Sequence, residues 1–190
     1  SYMSRKYASI YGDELDGVIF LGTGNQPKAV VDSGLKLAHI AKLVRGERYR
    51  SELLNTIMFG AYNKRIKDNR TANDWLTKDT KIVDEYLSDP KCSYKFTANA
   101  YIGFLNVIKY DIDKKNIAKT PDKLPVLFAS GLEDPVGDYG KGVKKAFKMY
   151  TKYVDNVELY LYEDDRHELH SETDREDIFS DLYEWIEENV

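Results

Sequence analysis

Two residues in this sequence, Asp134 and His167, combine reactive side chains with positions that suit catalysis. Asp134 follows the apolar run Val126–Ala129, and His167 follows a second run, Val157–Leu161. A stretch with helical periodicity separates the runs, so we expect a parallel strand–helix–strand unit whose two loops emerge on the same side. There the carboxylate can fix the tautomer of the imidazole, which can accept and return a proton. An acid followed by a histidine is the second half of the chain order Ser…Asp…His.

Helices must surround these strands, and their sequence patterns are clear. The apolar spacing predicts helices at Tyr2–Tyr11 and at Tyr139–Tyr153, the second with Asp138 as its N-cap. A last helix is predicted at Glu176–Glu188, opened by a capping box that begins at Thr173. Strands that alternate with helices of this length indicate the α/β class.

A third predicted strand, Val18–Leu21, has no polar residue in it. Such a run is typical of an interior strand that is covered on both faces, whereas Val157–Leu161 alternates with polar residues like a strand at a sheet edge. An exposed, flat apolar edge invites aggregation. We therefore expect a neighbour beside residues 18–21: strands that precede residue 1, as the missing N-terminal half of the same fold, or a partner chain.

The first and second strands are separated by roughly 100 residues, far more than a simple crossover needs. This segment is predicted to be helical, and an insertion after the carboxyl end of a strand is placed to cover a ligand crevice. We predict that residues 25–120 form a helical lid and that residues 1–24 and 121–190 form the α/β core. The helices expected in the lid are Pro27–Arg45, Ser51–Ile66, Thr80–Ser88 and Tyr94–Tyr110.

The composition excludes several classes of function. The net charge is −4 and the pI is about 5.5, with no basic stripe of the kind that binds nucleic acid. No apolar run approaches the roughly 20 residues of a transmembrane segment. Cys92 is the only cysteine, which favours a reducing compartment and a cytoplasmic location.

The sequence predicts neither a metal nor an organic cofactor. His167 and His170 are three residues apart in a predicted loop, not four apart on a helix as in a zinc site. Gly22 and Gly24 follow a strand, but Pro27 replaces the third glycine of a dinucleotide-binding loop. His170 is a less favoured candidate for the base, and His39 is interpreted as structural.

The two loops resemble a known family. Gly131–Gly140 and Tyr162–Glu168 are similar to the acid and histidine loops of lysophospholipase and monoacylglycerol lipase-like α/β-hydrolases, and the likeness covers essentially the whole chain, including Tyr11–Gly17. In that family the nucleophile elbow reads G-x-S-x-G and leads directly into a helix, and Ser1–Tyr7 resembles that helix. The resemblance implies that the elbow and both oxyanion-hole donors come from residues before Ser1.

No G-x-S-x-G occurs in the sequence itself. Ser1 and Ser4 lack the preceding strand and flanking glycines that a nucleophile elbow needs, so neither is expected to be the nucleophile.

The resemblance implies a serine hydrolase that cleaves a small acyl ester, a monoacylglycerol or a lysophospholipid, with Asp134 and His167 in its triad. Two alternatives stay open. One is an aminopeptidase or other amidase of the same fold. The other is a fragment or degenerate hydrolase that only binds acyl ligands or a partner.

Overall fold

The structure is a computed structural model that describes residues 1–92 and 94–190. Its sheet consists of three parallel strands in the order β1–β2–β3. These are β1 (Val18–Leu21), β2 (Val126–Gly131) and β3 (Val157–Tyr162). The carboxyl ends of all three strands therefore lie at one edge of the sheet, as the sequence predicts for β2 and β3.

Helices pack around this sheet and fill the long segment between β1 and β2, so the predicted α/β class is confirmed. Within the described ranges, no helix is both long and apolar enough to cross a membrane. The helices are α1 (Tyr2–Tyr11), α2 (Lys28–Arg45), α3 (Glu52–Phe59), α4 (Thr80–Ser88), α5 (Ala98–Asp111), α6 (Lys114–Ile117), α7 (Lys141–Tyr150) and α8 (Arg175–Asn189).

The start of α7 differs from the prediction. The helix begins at Lys141 with Gly140 as its N-cap, so the prediction that Asp138 caps it is wrong. Asp138 and Tyr139 have left-handed φ values of 48° and 54°, and Gly140 follows at 83°. The chain makes a tight turn before the helix, and the backbone N–H of Gly142 donates to the carbonyl of Gly137 over 2.8 Å.

Other predicted helix limits shift for local reasons. Residues 94–97 are not helical and Thr97 caps α5 through its side chain, so this helix starts later than Tyr94. α3 ends at Phe59, and a 3₁₀ turn at Tyr62–Arg65 replaces the rest of the predicted helix. α8 has Asp174 as N-cap without a side-chain bond, so the predicted capping box is absent.

The core of the α/β unit is built on three aromatic rings, Phe20 of β1, Phe128 of β2 and Tyr150 of α7. Their centroids lie 5.1 to 5.8 Å apart, and none of the three is more than 1% exposed. Every residue of β2 is buried, because strands flank it on both sides and helices cover it.

Among the described residues β1 lies at an edge of the sheet, so the second neighbour that its apolar sequence predicts is not one of them and stays a prediction. Among the described residues it pairs with β2 alone, and only Phe20 of its four residues is buried. β3 forms the other edge with every residue half-buried, in agreement with its alternating sequence.

The helical segment between β1 and β2 has a core of its own. Buried residues of α2 and α5, among them Val31, Leu35 and Leu105, pack against each other. Tyr2 of α1 and Val136 of the loop after β2 join the same cluster, so the helical segment is packed onto the α/β unit.

A buried arginine ties the two parts together. Arg5 of α1 is fully buried and donates to the carbonyl of Gly24 over 2.8 Å and to the carbonyl of Asp111 over 2.9 Å. The carboxyl of Asp111 is only 3% exposed, and its Oδ2 has no hydrogen-bond partner in the part of the chain described. Burial raises the pKa of Asp111 to about 7, against the attraction of Arg5.

The raised pKa of Asp111 predicts a pH-dependent stability. Between about pH 4, where an unfolded aspartate titrates, and pH 7, the folded state binds the proton more tightly, so stability falls as pH rises through this window. Asp111→Asn removes the titration. The stability of the variant relative to the wild type, measured as the difference in their free energies of unfolding, should therefore increase as pH rises from 4 to 8. Urea denaturation at several pH values measures this difference.

Asp122→Asn, at an exposed position, is the control. A difference in the free energy of unfolding between Asp111→Asn and the wild type that stays constant with pH would contradict the prediction.

Candidate active site

Asp134 and His167 lie side by side at the carboxyl edge of the sheet. The pairing of β2 with β3 continues into their loops: the N–H of Leu132 donates to the carbonyl of Tyr162, and that of Glu133 to the carbonyl of Asp165, each over 2.8 Å. The imidazole Nδ1 of His167 is 3.1 Å from Oδ2 of Asp134. The structure thus brings together the two residues that the sequence singles out.

The carboxylate of Asp134 is held in one orientation. Its side chain is fully buried, and its Oδ1 accepts a hydrogen bond of 2.8 Å from the backbone N–H of Val136. Its own carbonyl accepts the N–H of Tyr139 over 2.9 Å. Because Oδ1 is occupied by the turn, Oδ2 is the oxygen that remains for His167.

The imidazole of His167 is partly accessible, with 24% of its side chain exposed. Asp134 engages Nδ1, which leaves Nε2 as the nitrogen that can exchange a proton with a bound molecule. The ring of Trp75 lies beside it, with 5.2 Å between centroids, and the backbone N–H of His167 contacts the Trp75 carbonyl at 3.4 Å. A residue of the helical segment therefore forms one wall around the imidazole.

Gly22, at the end of β1, leaves room for His167. Its φ is +54°, a value that favours glycine, and a Cβ built there would lie 2.6 Å from the carbonyl oxygen of His167 and 2.8 Å from Nδ1. A side chain at position 22 would collide with the Asp134–His167 pair.

A buried carboxylate, Glu172, fastens the histidine loop to the helical segment. It is fully buried and accepts hydrogen bonds from the N–H of Arg166 (2.7 Å), the N–H of Lys78 (2.9 Å) and the hydroxyl of Thr77 (2.9 Å). Arg166 in turn donates through its guanidinium to the carbonyls of Asp74 (2.7 Å) and Thr77 (3.0 Å). Arg166 and Glu168 are the two residues that flank His167. The bonds just described hold Arg166 in place, and the N–H of Glu168 donates to the carbonyl of Leu76 over 2.7 Å.

His167 lines a cavity of about 680 Å³ between the α/β unit and the helical segment. Its lining is mostly apolar and includes no Asp or Glu among the described residues. A pocket of this size and polarity suits a ligand with an apolar chain. Side chains that form its walls include Val31, Trp75, Phe104, Leu105, Ile108 and Val136.

The other candidate residues lie elsewhere or are otherwise engaged. His170 is exposed in the 3₁₀ turn Leu169–Ser171, and His39 is exposed on α2. Ser4 is exposed on α1. Ser1 does line the cavity of His167, but its hydroxyl donates to the carbonyl of Gly22 over 3.0 Å.

One group of carboxylates is compact enough to hold a cation: Asp165, Glu172 and Asp174. The ammonium of Lys78 lies between two of them, 2.5 Å from Asp165 and 3.5 Å from Asp174. A lysine therefore already supplies the positive charge there, and the bonds of Glu172 serve the histidine loop. The expectation that the protein needs no metal and no organic cofactor stays a prediction.

Sequence reasoning finds the acid and the histidine but misses the residues that support them. Glu172, Gly22 and Trp75 act through tertiary contacts with residues distant in the sequence. Of these residues, Gly22 has a signal in the sequence, because it directly follows a predicted strand. A glycine at such a position often indicates that another part of the chain approaches the backbone closely.

The contact between Gly22 and His167 predicts a selective effect of Gly22→Ala. The added methyl group strains the left-handed backbone and pushes the imidazole away from Asp134, at a cost of about 1–3 kcal/mol in the free energy of unfolding. Urea denaturation measures the loss, and NMR of the histidine ring reports the displacement. Gly103→Ala is the control, because a Cβ there meets nothing within 4 Å; it should leave the His167 signals unchanged. Unaltered His167 signals in Gly22→Ala would contradict the prediction.

Comparison with known proteins shows the family of this chain. The model of the family described as "Serine aminopeptidase, S33" matches residues 1–174. No curated protein matches the chain.

Solved structures show the same fold. A thermostable carboxyl esterase from Bacillus coagulans, in complex with glycerol, superposes with a TM-score of 0.89 at 24% identity. A lipase in an open form superposes with a TM-score of 0.85 at 26% identity. A soluble variant of monoglyceride lipase from Saccharomyces cerevisiae, in complex with a substrate analogue, superposes with a TM-score of 0.68 at 20% identity. The alignments cover 98–100% of this chain but only 61%, 61% and 59% of those proteins.

The chain thus spans less than two thirds of the length of these structures. The resemblance to lipase-like α/β-hydrolases, which covers essentially the whole chain, is confirmed by the family match and by the fold. The chain belongs to the serine aminopeptidase S33 family and has the α/β-hydrolase fold.

Proposed function

We propose that this chain supplies the acid and the base of a serine hydrolase that cleaves carboxylic esters of lipophilic acids, of the monoacylglycerol or lysophospholipid type. The observation that carries the proposal is the hydrogen bond of 3.1 Å between Asp134 and His167, formed where His167 enters an apolar cavity. The esterases and lipases among the similar structures support the same reaction.

In this mechanism each group has one role. Asp134 holds Nδ1 of His167 protonated and stabilises the imidazolium. Nε2 takes the proton of the serine hydroxyl as its oxygen attacks the ester carbonyl, and gives it to the leaving alcohol when the ester bond breaks. His167 then activates a water molecule, which hydrolyses the acyl-enzyme and frees the acid.

The serine of this triad is proposed to lie a few residues before Ser1. The sequence contains no G-x-S-x-G, and α1 resembles the helix that follows the nucleophile elbow in related hydrolases. In the fold, α1 starts beside the cavity of His167, where Ser1 contacts Gly22. A segment that ends at Ser1 can therefore present a serine to the imidazole, and strands that accompany it can pair with the free edge of β1.

Residues 25–120 are proposed to act as the lid of this site. They contribute Trp75 beside the imidazole and much of the apolar wall of the cavity. A cover of this kind excludes water from the reacting groups and holds the acyl chain. The cytoplasmic location expected from the single cysteine stays a prediction.

An aminopeptidase is the alternative that the family description favours. Such an enzyme must bind the free amine of a peptide, which calls for a carboxylate near the reacting bond. The described residues that line the cavity include no carboxylate, and the apolar walls suit an acyl chain. We therefore favour ester hydrolysis. The other alternative is a non-catalytic protein that only binds acyl ligands or a partner.

Reaction with a fluorophosphonate tests the proposal on the full-length protein. The serine should form one covalent adduct, seen by intact mass spectrometry on a protein heavier than the 21.9 kDa of this chain. His167→Ala should slow labelling and ester hydrolysis roughly thousandfold or more, because the base is lost. His170→Ala, at an exposed histidine three residues away, should leave both unchanged.

The outcomes separate the alternatives. Hydrolysis of acyl esters that disappears in His167→Ala contradicts a non-catalytic role. Cleavage of aminoacyl amides in preference to acyl esters would favour the aminopeptidase. Absence of any adduct would overturn the proposal.

A further inference from the structure

A second cavity, of about 370 Å³, adjoins the first. Gln26, Ala61 and Tyr62 line both, so the two spaces share a wall. Pro135, next to the candidate acid, lines the second cavity, and Val136 lines the first. The second cavity therefore lies close to the Asp134–His167 pair.

The lining of the second cavity carries two cationic side chains, Lys141 and Lys145, and one carboxylate. Lys141 and Lys145 are one turn apart on α7, both are exposed, and the structure gives neither an ion-pair partner among the described residues. The guanidinium of Arg65 stacks 3.8 Å above the ring of Tyr139, another lining residue. Asp138 is the one carboxylate in the described lining, and it is exposed to solvent. The local excess of positive charge contrasts with the net charge of −4 of the chain.

A buried amide oxygen of a residue that lines this cavity has no hydrogen-bond partner among the described residues. Asn25 is only 8% exposed, and the structure shows no hydrogen bond to its Oδ1 from any described residue. Asn25 lines the cavity, and its backbone nitrogen lies beside Gly142 in the first turn of α7. A buried acceptor without a partner costs about 1–3 kcal/mol, which a ligand with a hydrogen-bond donor would recover.

The loop that shapes this cavity adopts an unusual conformation. Asp138, Tyr139 and Gly140 have positive φ in succession, and two of them are not glycine. The strain turns the chain so that Lys141 and Tyr139 reach the same space. Strain of this kind is common where a loop forms a binding site.

We propose that the second cavity is a subsite for the alcohol half of the ester, with Lys141 and Lys145 binding an anionic group on it and Oδ1 of Asn25 accepting a hydrogen bond from its hydroxyl. The glycerophosphate part of a lysophospholipid fits: the phosphate oxygens accept from the two ammonium groups, which match its charge, and the glycerol hydroxyl donates to Asn25. The inference rests on the proposed function and narrows its substrate to anionic acyl esters, in preference to neutral monoacylglycerols.

The two cavities fit the two halves of such a substrate. The ester carbonyl must lie at His167, so the acyl chain and the alcohol diverge from that point. The apolar cavity that His167 lines suits the chain, and the cavity beyond Gln26 and Tyr62, with its two lysines, suits the alcohol with its charge.

Binding of non-hydrolysable ligands to the full-length protein tests this without any catalysis. A 1-O-alkylglycerol 3-phosphate and the corresponding neutral 1-O-alkylglycerol are compared below their micelle concentrations, with the fluorescence of Trp75 beside the cavity as one signal and calorimetry as another. We expect the phosphate to bind about tenfold more tightly. In Lys141→Gln/Lys145→Gln that advantage should disappear, while the affinity for the neutral ether stays within about twofold.

Lys144→Gln is the matched control, because Lys144 is exposed on the same helix but does not line the cavity. It should keep the tenfold preference. Equal binding of both ethers by the wild type, or an equal loss in Lys144→Gln, would overturn the subsite. Inorganic phosphate that displaces the alkyl phosphate at the same concentration would assign the cavity to a free anion and overturn its role in substrate binding. Failure of the fluorophosphonate reaction, in contrast, would overturn the proposed function and leave these binding results interpretable.

Discussion

The site depends on the parallel pairing of β2 with β3, in which Gly131 faces Tyr162. This register places the loops after the two strands so close that a Cβ on Gly131 would lie 2.0 Å from the carbonyl oxygen of Asp165. Only a residue without a side chain permits that approach, and the approach brings Asp134 within hydrogen-bonding distance of His167. A shift of the pairing by one residue would reverse the faces of the strand and separate the acid from the histidine.

A buried carboxylate such as Asp134 is stable only with partners that replace water. The turn after β2 provides one N–H, from Val136, and the imidazole provides the other contact. Glu172 meets the same requirement with three donors, two of them from Thr77 and Lys78 in the helical segment. Because the histidine loop and the helical segment share these bonds, a movement of that segment would also move the imidazole. In the proposed mechanism, substrate entry and the alignment of the base are therefore linked through these bonds.

The sequence predicts what depends on local pattern and on topology rules. The strands, α1, α4 and the closeness of Asp134 to His167 follow from apolar periodicity and from the handedness of the crossover. The start of α7 could not be predicted, because non-glycine residues at 138 and 139 take left-handed conformations that their type disfavours. Such strain is imposed by tertiary contacts, which a single sequence does not display. The support that Glu172 gives to the histidine loop is hidden for the same reason, since two of its three donors, Thr77 and Lys78, lie more than 90 residues away in the sequence.

The same strained turn connects the two chemical tasks of this region. Its first part, at Asp134 and Val136, orients the carboxylate that serves His167. Its last part, from Asp138 to Gly140, directs α7 so that Lys141 lines the second cavity. In the proposed mechanism, this turn sets the distance between His167 and the lysines of the second cavity, and this distance limits the length of the alcohol that can span them. Selection for a particular leaving group would act on this turn as well as on the walls of the cavity, which gives a physical reason for retaining a conformation that costs about 1–3 kcal/mol at each strained residue.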